Sequence, residues 1–235
     1  MADPAAVAAL LADLADEHAA LDAVVGPLIS EAWSTPTPAD GWDVRDSIWH
    51  LAHYDRQAVR AVDDPAGFLV SVDELLADPE GGQAAIEAAG RSIAPADLLV
   101  LWRDGRAAML ARFATLDPGA RIPWYGPPMG LMSFATARLM ETWAHGPDVV
   151  DGLAAQGLPA TRPPTDRLRH IAELGVRTRG FSYAVRGREA PPAEIRVELA
   201  APSGASWTWG PEGATDCVRG NAVDFCLLVT QRRHL

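Results

Sequence analysis

Residues 41–53 read GWDVRDSIWHLAH, and this stretch sets both the architecture and the chemistry expected of the chain. Asp43 suits a helix N-cap, and Asp46 adds a negative charge in the first turn, where the helix dipole favours it. Val44, Ile48, Leu51, Ala52, Tyr54, Ala58, Val59 and Val62 continue a helical period to about residue 63. His50 therefore lies mid-helix, between the apolar side chains of Trp49 and Leu51. A second stretch, ETWAH at 141–145, sets Glu141 and His145 four residues apart and thus on one face of another predicted helix.

On either side of these stretches the pattern predicts the rest of a bundle. A first helix is expected from Pro4 to Ile29, capped by Asp3 and striped by Leu10, Leu14, Leu21, Val25 and Leu28. Residues 34–41 read as a loop, and 64–94 as one or two short helices. A third long helix is expected over 95–116, burying Leu98, Leu99, Leu101, Trp102, Met109, Leu110 and Phe113. Residues 117–130 hold four prolines and three glycines and read as a structured loop. The fourth helix spans 131–145 and is expected to break or kink at Gly146-Pro147. Four long helices with polar connections predict an antiparallel four-helix bundle over 1–155, whose facing side chains can build an interior metal site.

The Gly/Pro-rich segment 152–165 marks a boundary. Beyond it, 165–175 and 221–230 read as helices, while AEIRVELAAP and SWTWGP alternate with period two and read as strands. The whole chain is thus expected to be α+β, with a small α+β domain over 165–235. That domain is short enough either to lean on the bundle or to lack C-terminal residues.

Composition narrows the function. The net charge is -11, and all 20 basic residues are arginines with no basic cluster, which argues against nucleic acid as a main partner. No apolar run reaches the roughly 20 residues of a membrane span. The acidic, amphipathic N-terminal stretch lacks the features of a signal peptide, so a cytoplasmic protein is expected. Cys217 and Cys226 offer no disulfide framework, and Cys226 is expected in the core. The oligomeric state is open.

Two imidazoles and one carboxylate suit zinc and would leave the fourth tetrahedral position free. By spacing alone, His145 as a helix-end residue and Glu141 in an ordinary ion pair remain the alternative. His53, one turn from His50, reads as a fourth ligand, a base, or a polar helix position. Asp46, four residues before His50, reads as an acceptor for that ring or simply as a first-turn charge. Trp49 and Trp143 neighbour the candidate ligands, and Trp124 and Tyr125 lie in the loop before the fourth helix. All four are candidates for a pocket wall, with core packing as the alternative. His18 is expected at the bundle edge, and His170 and His234 are expected to be structural.

The GWDVRDxxxHLA pattern over 41–52, the ExxxH of Glu141 and His145, and their separation of about 90 residues resemble the mycothiol-dependent maleylpyruvate isomerase family, within the DinB-like helical-bundle superfamily. The resemblance implies a DinB-like N-terminal bundle and a sterol-carrier-protein-like C-terminal α/β domain. It places His50, Glu141 and His145 as ligands of a divalent metal, with zinc the expected ion. It also implies an arginine late in the second domain that reaches the active site. Arg232 is the candidate and Arg233 the alternate, with a solvated helix end as the other reading. The implied activity is activation of a low-molecular-weight thiol such as mycothiol, for isomerisation of, or S-transfer to, an electrophilic small molecule. A non-catalytic metal-binding protein and a metal-dependent hydrolase, with Asp46 or His53 as base, are the competing readings.

Overall fold

In the computed structural model, which describes residues 3–233, Asp3 opens α1 (Pro4–Val25) by accepting the Ala5 amide at 3.0 Å. The helix ends at Val25 rather than near residue 29. Pro27 has no N–H to continue the ladder, and the Gly26 amide closes the last turn on the Asp22 carbonyl. A short 3-10 turn, Ser30–Ser34, buries Trp33. α2 (Val44–Asp63) starts with a reciprocal capping box: Asp43 accepts the Asp46 amide at 2.8 Å and Asp46 accepts the Asp43 amide at 3.2 Å.

The stretch expected to hold one or two short helices holds α3 (Pro65–Ala77) and α4 (Pro79–Arg91). Each is opened by an Asp-Pro pair, with Asp64 and Asp78 capping the amides of Gly67 and Gly81. α5 (Pro95–Phe113) follows. The proline-rich loop contains a small hairpin, β1 (Arg121–Ile122) antiparallel to β2 (Met129–Gly130), which leads directly into α6 (Leu131–Ala155).

Of the break or kink expected at Gly146-Pro147, the break does not occur: α6 runs through it. Pro147 cannot donate to the Trp143 carbonyl, four residues back. Arg162 supplies the missing donor, its Nη1 reaching that carbonyl at 2.9 Å, while Nη2 pairs with buried Glu17 of α1. Gly146 makes the approach possible, because a Cβ there would overlap the guanidinium.

α2 packs against both α5 and α6, and α1 packs against α6 and α5. Leu10, Leu14, Leu21, Ile48, Leu51, Trp102, Phe113 and Phe134 are buried between them. Each such side chain contributes roughly 1.5–3 kcal/mol on burial.

The chain divides between residues 162 and 163 into two compact units. The second contains α7 (Leu168–Arg177), α8 (Arg179–Ala184), β3 (Ile195–Ala200), β4 (Ser206–Trp209), β5 (Asp216–Asn221) and α9 (Ala222–Val229). The sheet order is β4-β3-β5, antiparallel between β3 and β4 and parallel between β3 and β5. Val197, Leu199 and Trp207 form its buried side. β5 (DCVRGN) is exposed along its length and carries no apolar alternation, so no periodicity announces it. α7 packs on α9, where Cys226 is fully buried against the Leu168 carbonyl, as its expected core position requires. Cys217 is exposed, His170 is half-buried on α7, and His234 lies outside the described residues.

Candidate metal centre

α2 and α6 bring three donors together. One donor atom each from His50, Glu141 and His145 lie within 4.8 Å of one another. His50 Nε2 stands 3.3 Å from Glu141 Oε2, and His145 Nε2 stands 3.7 Å from the same oxygen. The two imidazole centroids are 4.7 Å apart. Glu141 and His145 are one turn apart on α6, so helical geometry aims both at α2. The cluster opens on one side: the side chains of Glu141 and His50 retain 32% and 22% exposure, against 6% for His145.

Burial pulls the His50 pKa down, and the Glu141 hydrogen bond opposes this only in part. For Glu141, burial pushes upward. The His50 hydrogen bond and the charges of Arg138, His50 and His145 outweigh it and bring the carboxyl down to about 2. Arg138 lies one turn before Glu141 and is itself anchored, its Nε donating at 3.0 Å to Asp55, which is fully buried on α2.

A residue the sequence reading did not single out completes the His145 side. Asp148 Oδ2 lies 3.4 Å from His145 Nδ1, and both side chains are buried. Its only sequence signal is the spacing of three on one helix. Trp42 is the second such residue, although it stands at the head of the α2 motif. Its ring stacks on His145 at 5.6 Å and 16°, and tilts over His50 at 5.3 Å. The third is Tyr54, whose ring is 4.7 Å from His50.

The expected pocket residues divide. Trp124 and Tyr125 come from the β1–β2 hairpin and stand 6.2 and 5.6 Å from Tyr54, backed by Phe68 of α3. They form a second aromatic row behind Tyr54. Burial raises the Tyr125 pKa to about 12, and burial followed by the Glu141 charge raises that of Tyr54. Trp49 turns instead toward α4. Its Nε1 donates to the Ile86 carbonyl at 2.7 Å, and its ring fills the space left by the missing side chain of Gly90. Trp143 is buried on α6 and makes no ring contact with either imidazole among the described residues.

Asp46 does not orient the His50 ring. Its oxygens accept from Arg91 Nε at 3.0 Å and Nη2 at 3.1 Å, and from the Asp43 amide. His53 lies outside the three-donor cluster, its ring set between Trp49 at 5.6 Å and Tyr54 at 5.0 Å. Burial, then the His50 charge, lowers its pKa to about 4. Arg232 belongs to the second unit, in the turn after α9, where Nη1 donates to the Thr230 carbonyl at 3.1 Å. His18 is not at a bundle edge: it is buried, its ring edge-on to Trp102 of α5 and its Nε2 3.9 Å from Asp55.

Fold and cluster together define an α-helical bundle carrying a His-Glu-His donor set on two facing helices. Residues 14–150 match the family described as the mycothiol maleylpyruvate isomerase N-terminal domain, and residues 191–235 match the wyosine base formation family. The first match spans more than half of the chain, which therefore belongs to the mycothiol maleylpyruvate isomerase N-terminal domain family. Uncharacterized proteins from two strains of Mycobacterium tuberculosis are each 46% identical over 237 residues, covering 100% of this chain and 88% of their own. The crystal structure of the mycothiol-dependent maleylpyruvate isomerase superposes with a TM-score of 0.61 at 13% identity, covering 99% of this chain and 93% of that one. A histidine-to-alanine mutant of that isomerase gives 0.60 with the same identity and coverage. These structures share their fold with the chain.

Proposed function

We propose that His50, Glu141 and His145 hold one divalent cation, zinc being the ion their chemistry suits best, and that the site serves a thiol-dependent isomerase or S-transferase acting on an electrophilic small molecule. The observation that carries this is the spacing of the donors. Two ligands at roughly 2.0–2.1 Å from a tetrahedral zinc stand about 3.3 Å apart. Two of the three separations here are 3.3 and 3.7 Å, and all three donor atoms lie within 4.8 Å of one another. The carboxylate agrees: Glu141, brought down to about 2, is ionised and ready to ligate. The buried Nδ1 of His145 also faces a carboxylate, the arrangement that fixes the tautomer of a ligating imidazole.

A cation bound there supplies a Lewis-acid centre that favours the thiolate of a coordinating thiol. The chain's own residues do the rest. Glu141 and His50 present their exposed edges to the incoming molecule, and Asp148 keeps His145 Nε2 turned toward the cluster. Trp42 covers the two imidazoles, which excludes water from one side. The aromatic row of Tyr54, Trp124 and Tyr125 bounds the other.

Elemental analysis of the purified protein, with calorimetric titration of mycothiol into metal-loaded and metal-stripped samples, tests the reading. About one zinc per chain and binding only to the loaded form are expected. Equal binding to both forms would point to a non-catalytic metal site and sink the proposal. His50→Ala removes one of three donors and should abolish metal retention, and a metal-replete variant would contradict the assignment.

A further inference from the structure

We propose that Tyr54 is the hydrogen-bond donor that orients a carbonyl- or carboxylate-bearing molecule at the His50–Glu141–His145 cluster. This rests on the reading of that cluster as a metal centre. Tyr54 follows His50 by four residues, so both side chains leave the same face of α2, and their rings stand 4.7 Å apart. The ring is held from three other sides by edge-to-face contacts, with His53 at 5.0 Å, Tyr125 at 5.6 Å and Trp124 at 6.2 Å. Such contacts restrain the ring and hence the direction of its C–O bond.

The phenol oxygen is not one of the buried polar atoms left without a partner; it reaches solvent and is open to a ligand. Here the surroundings that fix the ring are aromatic faces and edges, which leave the hydroxyl proton for a ligand. A phenol is a neutral donor at physiological pH, suited to an oxygen that gains negative charge during addition to a conjugated carbonyl. Placed beside the exposed edges of His50 and Glu141, it selects an electrophile that carries an oxygen acceptor close to the reacting carbon.

The test uses the full-length protein loaded with cobalt(II), whose visible spectrum reports the coordination geometry. Two probes are titrated: acetohydroxamate, which offers oxygen acceptors beside a metal-binding group, and ethanethiol, which offers none. Tyr54→Phe keeps the ring and loses only the hydroxyl. It should leave the ligand-free spectrum and the melting temperature unchanged, weaken acetohydroxamate about tenfold, and leave ethanethiol affinity as it was. Unchanged acetohydroxamate affinity, or equal weakening of both probes, would overturn the role of Tyr54 while leaving the metal centre standing. Failure of the wild-type protein to take up cobalt would overturn both.

Discussion

His145 shows how much one side chain depends on its neighbours. Its Nε2 faces Glu141, its Nδ1 faces Asp148, and its ring lies under Trp42. Asp148→Ala removes the carboxylate that stands 3.4 Å from the imidazole Nδ1. Loss of such an outer partner typically costs about 10–100-fold in metal affinity. We expect that range in a competitive chelator titration, and wild-type affinity in the variant would show that the contact is incidental. His18 makes a different point. Burial, opposed by Asp55 and reinforced by Arg106 and Arg138, lowers its pKa from 6.5 to about 4. The unfolded chain then binds a proton that the folded chain refuses between those values. Stability is retained above pH 6.5 and falls as pH drops toward 4, by about 3 kcal/mol in total from this residue. Urea unfolding of His18→Gln should therefore show a shallower loss between pH 7 and pH 5 than the parent, and parallel profiles would contradict the assignment.

Among the helices, α6 departs furthest from what its local sequence suggests. Pro147 is expected to break or kink it, yet the helix continues, and Arg162 donates to the orphaned Trp143 carbonyl. The same guanidinium neutralises buried Glu17, tying α1 to α6. Arg162→Ala leaves a buried carboxylate and a buried carbonyl without that donor, which should cost about 3–5 kcal/mol in chemical denaturation. If the carbonyl is part of that cost, adding Pro147→Ala, which restores a backbone N–H, should recover about 1 kcal/mol in the double variant. Strict additivity of the two substitutions would break the link. Local patterning was more dependable elsewhere. The Asp-capped starts of α1 and α2 follow from side-chain oxygens placed beside orphaned amides. β5 escaped detection because neither of its faces is buried.

For the molecule as a whole, all three donors lie on α2 and α6 of the first unit, which extends to residue 162. Composition places the bundle's end near residue 155, but the helix repair comes from beyond it. Leu158 and Ala160 also pack against the bundle core. A fragment spanning 1–162 is therefore expected to fold and to retain metal at the stoichiometry of the full chain. One spanning 1–155, without Arg162, should melt at least about 10 °C lower. Equal melting temperatures would mean that the segment 156–162 contributes nothing.

Helical spacing put Glu141 and His145 on one face and His50 on another helix, a family resemblance joined the three, and the structure brings them within 4.8 Å of one another. The α+β class and the four long helices followed from spacing too, a local property that a run of residues carries with it. The partners of those donors were a matter of packing. Trp42, Tyr54 and Asp148 acquire their roles from contacts with residues of the cluster, and Asp46 and Trp49 lose theirs to Arg91 and to α4. No periodicity encodes such choices, since each depends on which surfaces meet once four helices compete for one interior.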